Sequence, residues 1–124
     1  MEPTVLADYH NAVQFAAERF SPVAVAQTER MKVVLTCFEA GQFIPVHAPR
    51  VDMALVVLEG DAVVVAGPQQ EHHVGPGAIV VVPAGQSRGV RAATRLVAVH
   101  VVSPPPSEAD HAEVQAGLLQ GTWR

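Results

Sequence analysis

The chain has 124 residues, of which 49% are hydrophobic and 16% charged, with a formal net charge of −4. That length and apolar content fit one globular domain with its own core and exclude a disordered chain. The acidic balance lacks the basic stripe that phosphate backbones attract, so no nucleic-acid partner is expected.

In chain order, residues 1–30 read as a covering segment, residues 31–102 as an all-β body, and residues 103–124 as a Pro-rich linker followed by a helix. The opening MEPTVLADYH lacks the basic and apolar blocks of a signal peptide, and the single cysteine, Cys37, has no internal disulfide partner. Apolar runs such as Ala78 to Val82 are too short to span a bilayer as helices, so the expectation is a cytoplasmic protein with no membrane partner.

Valine-rich runs of strand length, separated by Gly, Pro, Asp and Gln, predict strands at Lys32 to Phe38, Met53 to Leu58, Ala62 to Val65, His72 to Val74, Ala78 to Val82, Gly89 to Ala92 and Arg95 to Val102. Glu59-Gly60-Asp61, Gly67-Pro68 and Gly75-Pro76-Gly77 supply the turns that close them into hairpins. Ser103 to Pro106 reads as a stiff extended linker. Ser107 then caps a helix that runs to about Gln120 and stops at Gly121, with Ala112, Val114, Leu118 and Leu119 as the face expected to pack on the body. Leu55 to Leu58 and Ala62 to Ala66 are apolar on both parities, so both faces of these strands need cover. Either the N-terminal segment, about Val13 to Val25, or a second subunit would supply it, and a homodimer is the expected answer.

From Gly41 to Gly60 the stretch GQFIPVHAPRVDMALVVLEG resembles the first cupin motif, GxxxxxHxHxxxE followed by six residues and Gly. GAIVVVPAGQSRGVRA, from Gly77 to Ala92, resembles the second, GxxxxxPxGxxHxxxN. The resemblance implies a cupin double-stranded β-helix, a jelly-roll-like antiparallel barrel formed by residues 31–102, with the short helix appended and residues 1–30 covering the barrel or a dimer interface. In such proteins histidines and the glutamate commonly hold a divalent metal, and the activities include isomerisation, dioxygenation, decarboxylation and simple ligand binding.

The departures from the motifs bear on the chemistry. His47 occupies the first histidine position, but Pro49 stands where the second would be, Met53 replaces the glutamate, Arg88 replaces the histidine of the second motif and Ala92 its asparagine. Proline offers no donor atom, a thioether is soft, and a guanidinium stays protonated and repels a cation. The expectation is a degenerate metal site with no cofactor; if a metal is present, His47 and His100 would hold it, with Cys37 as a further candidate ligand. Alternation along a strand would send His47, Pro49 and Met53 to the interior.

The candidate ligand-binding pocket is therefore His47, Pro49, Met53, Arg88 and His100. Arg88 either points inward to bind a small organic anion or pairs with Glu39 or Asp52 and points outward. The functional expectation is a cupin-type small-molecule binding protein. The alternatives are a cupin enzyme (isomerase, dioxygenase or lyase type) using His47 with or without a divalent metal, and a sensory or accessory dimeric module. No catalytic residue is assigned.

Other features have plainer readings. His72 and His73 are adjacent in a strand and face opposite sides, so they cannot chelate together. Cys37 reads as a small buried hydrophobe, His10 and His111 as solvent-facing, Arg91 and Arg95 as edge charges, and Trp123 as an anchor for the C-terminus on a neighbouring surface.

Overall fold

A computed structural model describes residues 2–68 and 70–124. After a short 3-10 turn at Tyr9–Ala12, the described residues form nine strands and one α-helix. The strands are β1 (Ser21–Gln27), β2 (Lys32–Phe38), β3 (Phe43–His47), β4 (Asp52–Glu59), β5 (Ala62–Ala66), β6 (Glu71–Val74), β7 (Ile79–Val82), β8 (Arg88–Ala92) and β9 (Leu96–Ser103), followed by the helix α1 (Glu108–Gln120). A five-stranded sheet in the order β1-β2-β9-β4-β7 faces a four-stranded sheet in the order β3-β8-β5-β6, and all pairings are antiparallel. No helix among the described residues is long and apolar enough to cross a membrane.

Two of these strands, β1 and β3, are absent from the sequence reading, and they share a cause. Each carries a proline, Pro22 and Pro45, and each lies at the edge of its sheet. A proline removes a ladder donor, which weakens the strand pattern in the sequence but is tolerated where one side of the strand has no partner.

The inner faces of the two sheets interdigitate. Phe38, Leu55, Leu96 and Val64, each 0% exposed, form the core between the sheets together with Val57, Val82 and Ala98. Parts of the outer faces are covered by the two ends of the chain. Tyr9, Ala12, Val13 and Phe15 pack over Leu35, Cys37 and Val97 on the five-stranded sheet, with Val23 and Val25 of β1 beside them. The C-terminal tail crosses the four-stranded sheet: the Val46 N–H donates to the Trp123 carbonyl at 2.8 Å, the Trp123 ring lies beside Gly89 and Arg91, and Arg124 pairs with Glu71 on β6.

Gly60 sits at the β4–β5 turn with φ +86°, and a Cβ there would lie 2.0 Å from the Arg95 carbonyl oxygen, so neither the conformation nor the space admits another residue. The helix has a capping box between Ser107 and Asp110 and a left-handed C-cap at Gly121. Its docked face is narrower than the sequence suggests. Val114 and Leu118, four residues apart, pack on the core, whereas Leu119 is 88% exposed and Ala112 faces solvent. At 100° per residue, positions 112 and 119 turn away from the stripe that 114 and 118 define. Gly117 lets the helix approach β3 so closely that a Cβ would stand 2.6 Å from that of Pro45.

Candidate functional site

The open end of the barrel holds a cavity of about 350 Å3. His47, Pro49, Met53, Arg88 and His100 all line it. Strand alternation along one element, the premise in the sequence, is only part of the reason. His47 ends β3 in one sheet and Met53 belongs to β4 in the other, so they meet because two inner faces oppose each other. Pro49 lies in the loop between β3 and β4 rather than on a strand, and that loop carries it to the cavity wall. Within β3 the register shifts between Ile44 and His47. Residues three apart would face opposite sides of a regular strand, and the irregularity puts both on the cavity side.

Arg88 is 4% exposed and lies on β8, an interior strand of its sheet, with His47 opposite it on β3 and Ala66 opposite it on β5. Its guanidinium donates from Nη2 to the Pro83 carbonyl at 2.9 Å and from Nε to the Gln86 carbonyl at 3.4 Å. Nη1 is buried and has no hydrogen-bond partner among the described residues. The outward pairing with Glu39 or Asp52 is not formed. Glu39 is bound by Arg95 at 2.7 and 3.1 Å, and the Asp52 carboxylate accepts from the Ala84 N–H at 2.8 Å. Burial pulls the Arg88 pKa down, and the charges of Asp52 and Asp110 oppose that shift.

His47 and His100 flank the guanidinium differently. The His47 Nδ1 stands 2.8 Å from the Pro45 carbonyl oxygen, and burial lowers the His47 pKa, opposed in part by that bond and by the charges of Glu113 and Asp110. His100, on β9, has its Nδ1 2.8 Å from the Thr36 hydroxyl, and burial, with the His47 and Arg88 charges adding, lowers its pKa to about 4. At neutral pH the two imidazoles beside the buried Arg88 guanidinium, His47 and His100, are therefore held toward their uncharged form.

Several lining residues have no counterpart in the sequence reading. Thr36 is 2% exposed and positions His100; its signal is its place two residues before Phe38 on an inward-facing parity. Asp110, His111, Val114 and Gln115 of α1, with Arg19 and Phe20 just before β1 and Pro22 within it, form the mouth. Arg19 Nη1 donates to Gln115 Oε1 at 3.1 Å across it. No sequence signal marks these residues, because the docking of the helix brings them in. His111 faces solvent yet borders this mouth, and His72 and His73 are both exposed.

The positions that the cupin resemblance assigns to a metal offer a thin donor set. Cys37, a candidate ligand, faces the opposite side of β2 from Thr36 and is enclosed with Leu35 and Val97 under the N-terminal segment, where burial raises its thiol pKa. It cannot join His47 and His100. Among the described residues no three His, Cys, Asp or Glu side chains come together closely enough to hold an ion. Two imidazoles beside a buried guanidinium do not fit a divalent cation.

No family model matches the sequence, and no curated protein does. Solved structures do match. An RmlC-like cupin protein from Desulfovibrio desulfuricans is 32% identical, with a TM-score of 0.70 over 84% of this chain and 97% of that one. The TT1209 protein of Thermus thermophilus is 30% identical, with a TM-score of 0.74 over 80% of this chain and 96% of that one. A Klebsiella pneumoniae protein with a double-stranded β-helix domain, at 23% identity and a TM-score of 0.74 over 82% of this chain and 91% of that one, shares the fold. With two facing antiparallel sheets, both motif frames in place and a relative of that identity covered almost end to end, the chain belongs to the RmlC-like cupins.

Proposed function

We propose that this cupin binds a small organic anion in its barrel cavity through Arg88, without a metal. The observation that supports it is the Arg88 Nη1 group, buried at the cavity wall with no partner among the described residues. An unsatisfied buried donor costs about 1–3 kcal/mol, more when charged, so a guanidinium edge held in that state is pre-arranged for an acceptor from outside. A carboxylate matches its geometry and its charge. Ile44, Pro49, Met53 and Val90 give the apolar walls that a short carbon skeleton would contact.

The test is calorimetric titration of metal-free protein with acetate, propionate and benzoate, alongside manganese and zinc chlorides. Saturable binding of a carboxylate that is lost in Arg88→Met is expected. Tight stoichiometric metal binding, or no carboxylate binding, would overturn the proposal. A homodimer is part of the same proposal: Ile79 and Val81 stay 71% and 68% exposed on the edge strand β7, and sedimentation equilibrium tests it.

A further inference from the structure

We infer that the cavity selects 2-hydroxy carboxylic acids over the corresponding plain acids, because His47 turns an acceptor nitrogen toward the ligand held by Arg88. The preference rests on the anion-binding function proposed for Arg88 and narrows it to one ligand class.

The tautomer of His47 follows from its backbone partner. A carbonyl oxygen can only accept, so at 2.8 Å from the Pro45 oxygen the Nδ1 atom must carry the ring proton. In the uncharged ring, the form that burial favours, Nε2 is then a bare lone pair. The other tautomer would set two acceptors against each other.

This acceptor belongs beside the guanidinium. His47 and Arg88 are direct cross-strand partners on β3 and β8, and both line the cavity. Residues so placed have Cβ atoms roughly 5 Å apart. A ligand whose carboxylate meets Nη1 of Arg88 therefore satisfies His47 best with a hydrogen-bond donor on the adjoining carbon. The hydroxyl of a 2-hydroxy acid is such a donor, and it is neutral. The ammonium of a 2-amino acid also donates but adds a second positive charge beside a buried guanidinium. The one carboxylate that lines the cavity, Asp110, is engaged with the backbone N–H of Ser107 in the helix cap.

The experiment compares lactate, propionate, 2-methoxypropionate and L-alanine by competition calorimetry at pH 7.5. Lactate and 2-methoxypropionate both carry an oxygen on the second carbon, but only lactate can donate from it. Lactate is expected to bind about fivefold or more tightly than the other three, the ratio that one net hydrogen bond supports. Within His47→Phe, lactate and propionate are expected to bind equally, so that the lactate-to-propionate ratio falls to about one, with circular dichroism confirming the fold. The wild-type comparison of lactate with 2-methoxypropionate needs no variant. Equal binding of lactate, propionate and 2-methoxypropionate, lost in Arg88→Met, would overturn the hydroxyl preference and leave the anion-binding function standing. Tighter binding of L-alanine than of lactate would also overturn it. No binding of any of the four would remove both.

Discussion

Strand β2 has two faces with opposite characters. Outward, Leu35 and Cys37 are sealed under Val13 and Phe15, with Val23 beside Leu35 on β1 and the Tyr9 hydroxyl reaching out to Glu59 at 2.6 Å. Inward, Thr36, one residue away from each, holds His100 over a cavity that also contains Arg88 and His47. Both faces are buried, so burial alone does not distinguish a seal from a site. The difference lies in unspent hydrogen-bonding capacity: among the described residues the buried side-chain nitrogen without a partner is Arg88 Nη1, on the inner side, where His47 and His100 also line the cavity. The outer face should therefore respond to substitution only through stability, and the inner face through binding and pH.

The largest effect is expected on the outer face. Leu35→Ala should destabilise the protein by about 3 kcal/mol in urea unfolding, because the cavity it leaves lies between sheet and segment, while carboxylate affinity stays unchanged. A change in affinity would show that the two faces of β2 are coupled.

Next comes the pH dependence of the inner face. Folding holds the His100 pKa at about 4 instead of the ordinary imidazole value of 6.5, so the unfolded chain takes up the proton first as pH falls. Stability should therefore be complete above about pH 6.5 and decline toward pH 4, by about 3 kcal/mol from this residue. His47, whose pKa is also lowered, contributes with the same sign. Melting curves between pH 7 and 4 should show the decline, and His100→Gln should flatten it without abolishing it. An unchanged slope in that variant would mean that other groups carry the acid sensitivity.

Arg88→Met should move stability and binding in opposite directions. Removing a buried donor with no partner is expected to stabilise by about 1 kcal/mol, read as a higher melting temperature, while carboxylate binding disappears. A lower melting temperature would mean that the bonds to Pro83 and Gln86 matter more than the unsatisfied group. The smallest effect is expected at the rim. Arg19→Ala breaks an exposed bond to Gln115 and should change stability by less than about 0.5 kcal/mol in the same unfolding assay.

Much of the barrel is legible in the sequence because its cause is local. The β2, β4, β5 and β9 runs are apolar at strand length, the glycine at position 60 marks a turn where nothing else fits, and Ser107 and Gly121 bound the helix by capping chemistry. The two missed strands contain proline, whose tolerance depends on being at a sheet edge, and edge position is not a local property. In the site, the motif frame directs attention to His47, Pro49, Met53 and Arg88 and the apolar strand around His100 adds the fifth, but it does not reveal that Thr36 orients His100 or that α1 forms the mouth.

The sequence by itself determined the strand-rich body, the capped helix and the presence of Pro49, Met53 and Arg88 at the motif positions, since each follows from residue identity and short-range spacing. Only the tertiary structure decided that Arg88 turns inward with one nitrogen unpaired, that Cys37 faces away from both histidines, and that the two chain ends cover parts of the two sheets. Those outcomes depend on which strands pair, where a register shifts and how a helix docks. All are set by contacts between residues far apart in the chain, where spacing along the sequence carries no information.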